Sequence, residues 1–395
     1  MKQRITKVAA IYFCLLAVSS AVIMFIVMRD RSNTDLTDFV LPWFAQLTEH
    51  GLHAISGTYS AYTPTYLYFL ATVAPLHSII SDVVLIKSVS MAFNFIGAFI
   101  VYLIVLEVTM DKRISAVAGA GALLLPTVVM NSAYWGQCDA IYSTFVLSFV
   151  LFNLKGATGR AVFCLGLAFS FKLQAIFVAP YVLYLILRKR IGLQHLLVVP
   201  IVYAATMFPA YLMGRPASEL ATIYLGQIHE YGFLSLSAPN LYEIIQHFHL
   251  VGYHFGVRAG LILATAVGIT LAISAQRLPD DLRADLLVVT ASVILMPFVL
   301  PKMHDRYFFL ADILTYVLAF TFSRAWLLAI GMQIGSLSAY CKFLFDWHFG
   351  PSLGALAVGT ASVGIVWLGF VHARTMSWYN PQIGHLRDSV PYARV

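Results

Sequence analysis

Charge is scarce in this sequence: 11% of its 395 residues are Asp, Glu, Lys or Arg, against 60% apolar residues. Soluble domains carry roughly 25% charged residues, so an ordinary soluble class is excluded and a helical integral membrane protein is expected. Each span of that class needs ~20 apolar residues and closes its backbone hydrogen bonds internally. Missing as well are the alternating segments of roughly ten residues that mark a transmembrane barrel, any internal repeat and any low-complexity tract. The four cysteines, Cys14, Cys138, Cys164 and Cys341, have neither metal-ligand nor disulfide spacing. Cys14 and Cys164 lie in apolar runs and read as small hydrophobes. The net charge of +7 is not a nucleic-acid signature, because the lysines and arginines gather at the ends of apolar runs, where the positive-inside rule puts them. No small-residue cleavage site precedes Arg29, and the apolar run before it is too long for a signal peptide, so an uncleaved first span is expected.

What is present is a succession of apolar runs. Residues 8–28 form the first and carry the chain outward. An outer loop from Arg29 to about Tyr62 follows, then 64–80, then a long run at 83–108 ending in Asp111-Lys112-Arg113. A full crossing by 64–80 would put Lys112 and Arg113 outside, so an interfacial or re-entrant helix is expected there. Residues 115–131 lead outward to Trp135 and Asp139, and 141–153 return to Lys155 and Arg160. Residues 161–187 have basic residues at both ends but too few residues for two full spans. Two short helices meeting part-way across, with Lys172 and Gln174 near the apex, satisfy both conditions. Further runs at 195–213, 255–274, 284–300, 308–322, 326–345 and 353–371 follow, with a second outer loop at 214–253 and a polar tail from His372. The expected fold class is an all-α polytopic membrane protein of about twelve transmembrane helices, both termini inside, with juxtamembrane helices in the outer loops. It divides into an N-terminal module (1–213) and a C-terminal module (214–395).

This topology brings four polar clusters to one side: Asp35 with Asp38, Trp135 to Asp139, Lys172 with Gln174, and Lys302 to Tyr307. Uncommon polar groups gathered at one face suit a site for an amphipathic substrate. Each cluster has a plainer reading. Asp35 could cap a helix, and Asp35 and Asp38 could be solvated. Asp139 could belong to an inert network with Trp135 and Gln137. Lys172 could snorkel, and Lys302, His304 and Arg306 could anchor lipid headgroups. Asp35 and Asp38, three residues apart, would share a helical face. The histidines of the second outer loop, His229, His247, His249 and His254, have no metal-like spacing.

The order of these segments resembles a known family. The acidic loop with Pro42-Trp43, Tyr62-Thr63-Pro64-Thr65-Tyr66, Trp135-Gly136-Gln137-Cys138-Asp139, Phe171-Lys172-Leu173-Gln174 and Met303-His304-Asp305-Arg306-Tyr307-Phe308 is similar to the GT-C superfamily of membrane glycosyltransferases. Within it, bacterial relatives of the GPI-anchor and dolichyl-phosphate-mannose-dependent mannosyltransferases are the nearest in pattern. The likeness covers nearly the whole chain; no large soluble domain follows the last expected span, unlike the oligosaccharyltransferase branch. The resemblance implies an active site facing the periplasm of a bacterial inner membrane and a polyprenyl-phosphate sugar, mannose in the first instance, as donor. The acceptor would be a lipid-linked or polymeric glycan in polysaccharide synthesis.

The resemblance also implies an essential aspartate in the first outer loop. Asp35 stands eight residues before Trp43, which carries that role to Asp35, with Asp38 close enough to compete for it. His304 and Arg306, then Lys302 or Lys172, are expected at the donor phosphate; Tyr62, Trp135, Gln137, Asp139, Gln174, Asp305 and Tyr307 are expected to support the site. No cofactor is required; a divalent cation, Mg or Mn, could sit between Asp35 and Asp38. The alternatives from other classes are a secondary transporter or lipid flippase, which would show related halves and midplane binding residues, and a non-catalytic partner in an exopolysaccharide complex.

Overall fold

The computed structural model describes residues 2–28, 32–229, 232–347 and 350–379. Arg29 at the start of the first loop, the side chain of His229 and residues 380–395 of the expected tail lie outside the described residues. The chain is all-helical, apart from one short strand pairing. Among the described residues, seven helices are long and apolar enough to cross a membrane: Ala10–Met28, Asp82–Thr109, Leu193–Leu212, Tyr253–Arg277, Leu282–Val299, Ala325–Phe345 and Gly350–Thr375. Lys112–Ala122 and Pro126–Trp135, bent by 40°, make an eighth if taken as one span. Four further apolar helices, Asp139–Leu154, Thr158–Phe171, Leu173–Leu187 and Phe309–Ala319, are shorter than a span. At 1.5 Å per residue, roughly 20 residues are needed to cross ~30 Å of hydrocarbon. By length and composition, seven of the described helices are candidate crossings, or eight with the bent pair taken as one. Phe309–Ala319 is buried at every residue and Asp139–Leu154 at nearly every one, so both are interior elements packed on all sides by protein.

Local chemistry sets the element ends. Asp111, Asn240 and Asp281 cap the helices that follow them through their side-chain oxygens, each satisfying amides that the first turn leaves open. Helix Tyr253–Ser274 buries Gly256, Gly260, Ala264, Gly268 and Ala272, one every four residues, a stripe of small residues that lets neighbouring helices approach closely. Residues 64–80 form only the ten-residue helix Pro64–Val73 and a short 3-10 turn, too short to cross alone. Helix Thr158–Phe171 stops at Lys172, whose backbone is extended (φ −148°, ψ 140°), and a 3-10 segment, Leu173–Val178, leads into Ala179–Leu187. The break lies where the two basic ends require it. At the far end of Ala179–Leu187, Arg190 pairs with Asp280 and Asp285, and Arg188 donates to the carbonyl of Leu278 at 2.6 Å.

Three connections hold the polar end together. Ser235–Leu236 pairs in parallel with Met303–His304, and the amide of Asp305 donates to the carbonyl of Leu236 at 3.1 Å. This pairing fixes the loop that carries His304 to Tyr307. Thr63 and Thr65 both donate to the carbonyl of Ser170 at 2.7 Å, which seats Tyr62 beside the Lys172 break. The segment at 214–253 is largely structured, with helices Ala217–His229 and Leu241–His247; Gln227 reaches across to the carbonyl of Ala61 at 2.6 Å.

Gly136 turns the chain between the bent helix and Asp139–Leu154 with φ +83°, and a methyl there would lie 2.9 Å from Leu36 Cδ1. Left-handed backbone at a residue with a side chain costs about 1–2 kcal/mol before any clash. Gly136→Ala should lower the melting temperature of the purified protein by several degrees in scanning fluorimetry. An unchanged melting temperature would contradict the tight turn.

Candidate active site

Asp35 lies in the turn of helix that opens the loop after the first long apolar helix. Residues Leu36–Val40 then adopt a π-helix before Leu41–His50 resumes the α form with Pro42 in its first turn. The Asp35 carboxylate makes no capping hydrogen bond. It reaches instead to the segment 100 residues further on, where Trp135 Nε1 donates to Oδ2 at 3.0 Å and Gln137 Nε2 to the same oxygen at 2.7 Å. Asn33 stitches the same two segments: its amide donates to the carbonyl of Trp135 at 2.7 Å, and its oxygen accepts from the amide of Leu36 at 3.2 Å. Trp135 is fully buried and stacks on Phe343 with ring centroids 4.6 Å apart. Its indole therefore holds Asp35 from a fixed position. All of these contacts fall on Oδ2, and Asp35 lines a cavity of about 320 Å³.

Arg306 stands across that cavity. Its guanidinium lies 3.6 Å from Asp35 Oδ2, 3.8 Å from Asp139 Oδ2 and 3.6 Å from Asp305 Oδ1, with its plane over Trp135 at 5.7 Å. None of the three separations is a hydrogen-bond length, and the buried Nε has no hydrogen-bond partner. The guanidinium is thus ion-paired with three carboxylates, none of them closed to a hydrogen bond. Such a fork matches a phosphate or carboxylate in two-point contact. Behind it, Lys172 donates to Asp139 Oδ1 at 2.7 Å and Asn131 to Oδ2 at 2.9 Å. The Lys172 ammonium also sits 5.0 Å from the ring of Tyr62. Asp139 and Lys172 are both buried, and a buried pair of this kind is retained only when both charges are well partnered.

Burial sets the electrostatics of the loop. Asp305 is pushed up to about 7, chiefly by desolvation, with Arg306 opposing and Asp35 and Asp139 adding to the rise. His304 is pushed down to about 3, by burial first and then by Arg306 and Lys172. Its imidazole is neutral near pH 7 and would serve an anion as a hydrogen-bond donor rather than as a charge. Burial works against the charge of Arg306, but Tyr62 and the carboxylates of Asp305, Asp35 and Asp139 outweigh it and keep the guanidinium protonated far above any working pH.

The residues singled out from the sequence mostly meet at this cavity. Asp35, Tyr62, Gln137, Lys172, Gln174, His304, Asp305, Arg306 and Tyr307 line it, and Trp135 and Asp139 contact the lining from behind. Two do not line it. Asp38 is exposed and takes a hydrogen bond only from the adjacent Thr37 at 3.1 Å. The π-helix widens the turn, so a step of three residues no longer returns to the same face. Lys302 has left-handed backbone (φ 63°), and its ammonium donates to the hydroxyl of Tyr253 at 2.8 Å. Asn33, Asn131, Phe343, Ser237 and Gln227 were not foreseen; all but Asn33 and Asn131 line the cavity. Lys87, buried within Asp82–Thr109, donates to the carbonyl of Tyr134 at 2.9 Å. A lysine inside an apolar span is itself a signal, which the polar clusters elsewhere overshadowed.

Neither a scan against protein-family models nor a search of curated proteins returns a significant match to this chain.

A carboxyl raised from 3.8 to about 7 binds its proton more tightly in the folded state than in the unfolded one. Its stabilising contribution is full below pH ~4 and is lost as pH rises through ~7. Asp305→Asn, which cannot ionise, should gain stability relative to wild type between pH 5 and pH 8 in parallel melting curves. A difference that stays constant across that range would show that Asp305 ionises normally.

Proposed function

We propose that this chain is an inverting glycosyltransferase that moves a sugar, mannose in the first instance, from a polyprenyl-phosphate donor to an acceptor hydroxyl. The reaction takes place on the outer face of a bacterial inner membrane, in the synthesis of a cell-surface glycan, and the chain belongs by its motifs with the GT-C superfamily. Its crossings number about twelve once the four short apolar helices are counted with the eight longer ones. The observation that carries the reading is the pairing across one cavity of Asp35, held through Oδ2 by Trp135 and Gln137, with the guanidinium of Arg306.

An acceptor hydroxyl is a weak nucleophile until its proton is taken. Asp35 Oδ1, which carries none of the contacts that hold Oδ2, is the atom placed to take it as the new C–O bond forms. The leaving group is a lipid phosphate, already acidic, so no general acid is needed. Arg306 meets the charge that grows on it, Lys172 adds a second positive charge from the cavity wall, and neutral His304 donates a hydrogen bond. One displacement from the face opposite the phosphate inverts the anomeric carbon. A retaining route would want a second carboxylate as nucleophile. Asp139 is already bonded by Lys172 and Asn131, which disfavours that route. An apolar cavity of about 310 Å³ lined by Leu165, Phe169, Ile176, Val182 and Val199 lies along the same broken helix pair and suits an isoprenoid chain.

The break at Lys172 is also what a secondary transporter would use, so a transporter or flippase is the second reading. Purified protein given radiolabelled polyprenyl-phosphate mannose separates the two, because only an enzyme consumes the donor. Asp35→Asn should lower transfer by at least 100-fold with insertion unchanged, in keeping with the loss of a general base, while Asp38→Asn keeps near-normal turnover. The reverse pattern would move the base to Asp38. Arg306→Ala should weaken use of the donor lipid more than use of the acceptor, and equal effects on both would remove it from the phosphate.

A further inference from the structure

Asp305 is buried and lines the cavity, yet its Oδ1 has no hydrogen-bond partner. Its backbone is pinned by the bond from its amide to the carbonyl of Leu236, so the side chain is not free to retreat. The nearest cation, Arg306 Nη1, lies 3.6 Å away, beyond hydrogen-bond reach. An unsatisfied buried oxygen is costly, and the cavity that Asp305 lines is where a partner for it can enter. Charge decides in which form it is answered. Around Asp305 stand the carboxylates of Asp35 and Asp139 and the cations Arg306 and Lys172, with the neutral rings of His304, Tyr307, Tyr62 and Tyr340. Three carboxylates against two cations leave the site one negative charge in excess before any anion arrives. A phosphate entering that cavity meets an ionised Asp305 both as a repelling neighbour and as a rival for Arg306. If Asp305 carries a proton, it becomes a donor to the phosphate oxygen and releases Arg306 to the same ligand.

We infer that Asp305 acts as a protonated carboxylic acid that donates a hydrogen bond to the lipid-phosphate headgroup, so that donor binding takes up one proton from solvent. The inference rests on the reading that a lipid phosphate occupies this cavity, and it adds a ligand-contacting role for Asp305 and a pH dependence to that reading. Burial has already brought Asp305 to about 7, so little is needed to keep the proton in place. Affinity should be full at low pH and fall as pH rises through neutrality, by about ten-fold per unit once the free site is ionised.

The test uses the full-length protein in detergent and the methyl ester of farnesyl phosphate, a diester whose single charge is constant across the range. Titration calorimetry at pH 6.0 and 8.5 should show wild-type affinity falling about ten-fold or more, and heats in two buffers of different ionisation enthalpy should report uptake of close to one proton at pH 8. Asp305→Asn, whose amide still donates, should bind with a flat pH profile and no uptake. Should that variant fail to fold, the wild-type proton count decides alone. Binding by wild type that is flat with pH and takes up no proton would overturn the role of Asp305 while leaving the lipid-phosphate reading standing. No binding at any pH would overturn both.

Discussion

The guanidinium of Arg306, set among Asp35, Asp139 and Asp305 at separations longer than hydrogen bonds, is the interaction on which the rest of the structure depends. Three carboxylates converging in a poorly hydrated pocket would repel one another by several kcal/mol, and without Arg306 and Lys172 between them the polar end of the bundle would not close. The charges come from four places: the loop after the first long helix, the start of helix Asp139–Leu154, the break at Lys172 and the loop after Leu282–Val299. Each is held by backbone contacts that do not involve the charges. Asn33 binds the carbonyl of Trp135, Thr63 and Thr65 bind the carbonyl of Ser170, and Ser235–Leu236 pairs with Met303–His304. The fold therefore positions the carboxylates first, and the cations make that position tolerable.

The division of labour between the aspartates follows from how each is bound. Asp139 is saturated by Lys172 and Asn131 and serves as an anchor. Asp35 is held at one oxygen only, which orients the carboxylate and leaves the other out of those hydrogen bonds. Asp305 has an unsatisfied oxygen and a raised proton affinity. Like carboxylates in one pocket whose surroundings push them apart in this way are how acid and base roles become separated.

Much of this was legible in the residues. Basic residues at both ends of 161–187, with too few residues between them, point to a break, and the break falls at Lys172. Scarce charges in an apolar chain mark the clusters that meet at the cavity. What was not legible depends on backbone detail. The π-helix at Leu36–Val40 sends Asp38 to solvent and Asp35 inward, although an ideal helix would pair them. A two-residue strand pairing leaves no periodic signal, yet it sets where Arg306 points. Left-handed backbone at Lys302 turns its ammonium toward Tyr253. Short buried helices such as Phe309–Ala319 carry the apolar pattern of a span without its length, so the apolar runs outnumber the described helices that are long enough to cross alone. Gln227 joins the cavity wall only because helix Ala217–His229 folds over it, which no spacing in the sequence announces.

The most direct measurement is an electron cryomicroscopy structure of the purified protein with a non-transferable polyprenyl-phosphate sugar. The account predicts phosphate oxygens within hydrogen-bond distance of Arg306 and the anomeric carbon between that phosphate and Asp35 Oδ1. A headgroup bound away from Arg306, or at the opposite end of the bundle beside Arg190, would contradict it.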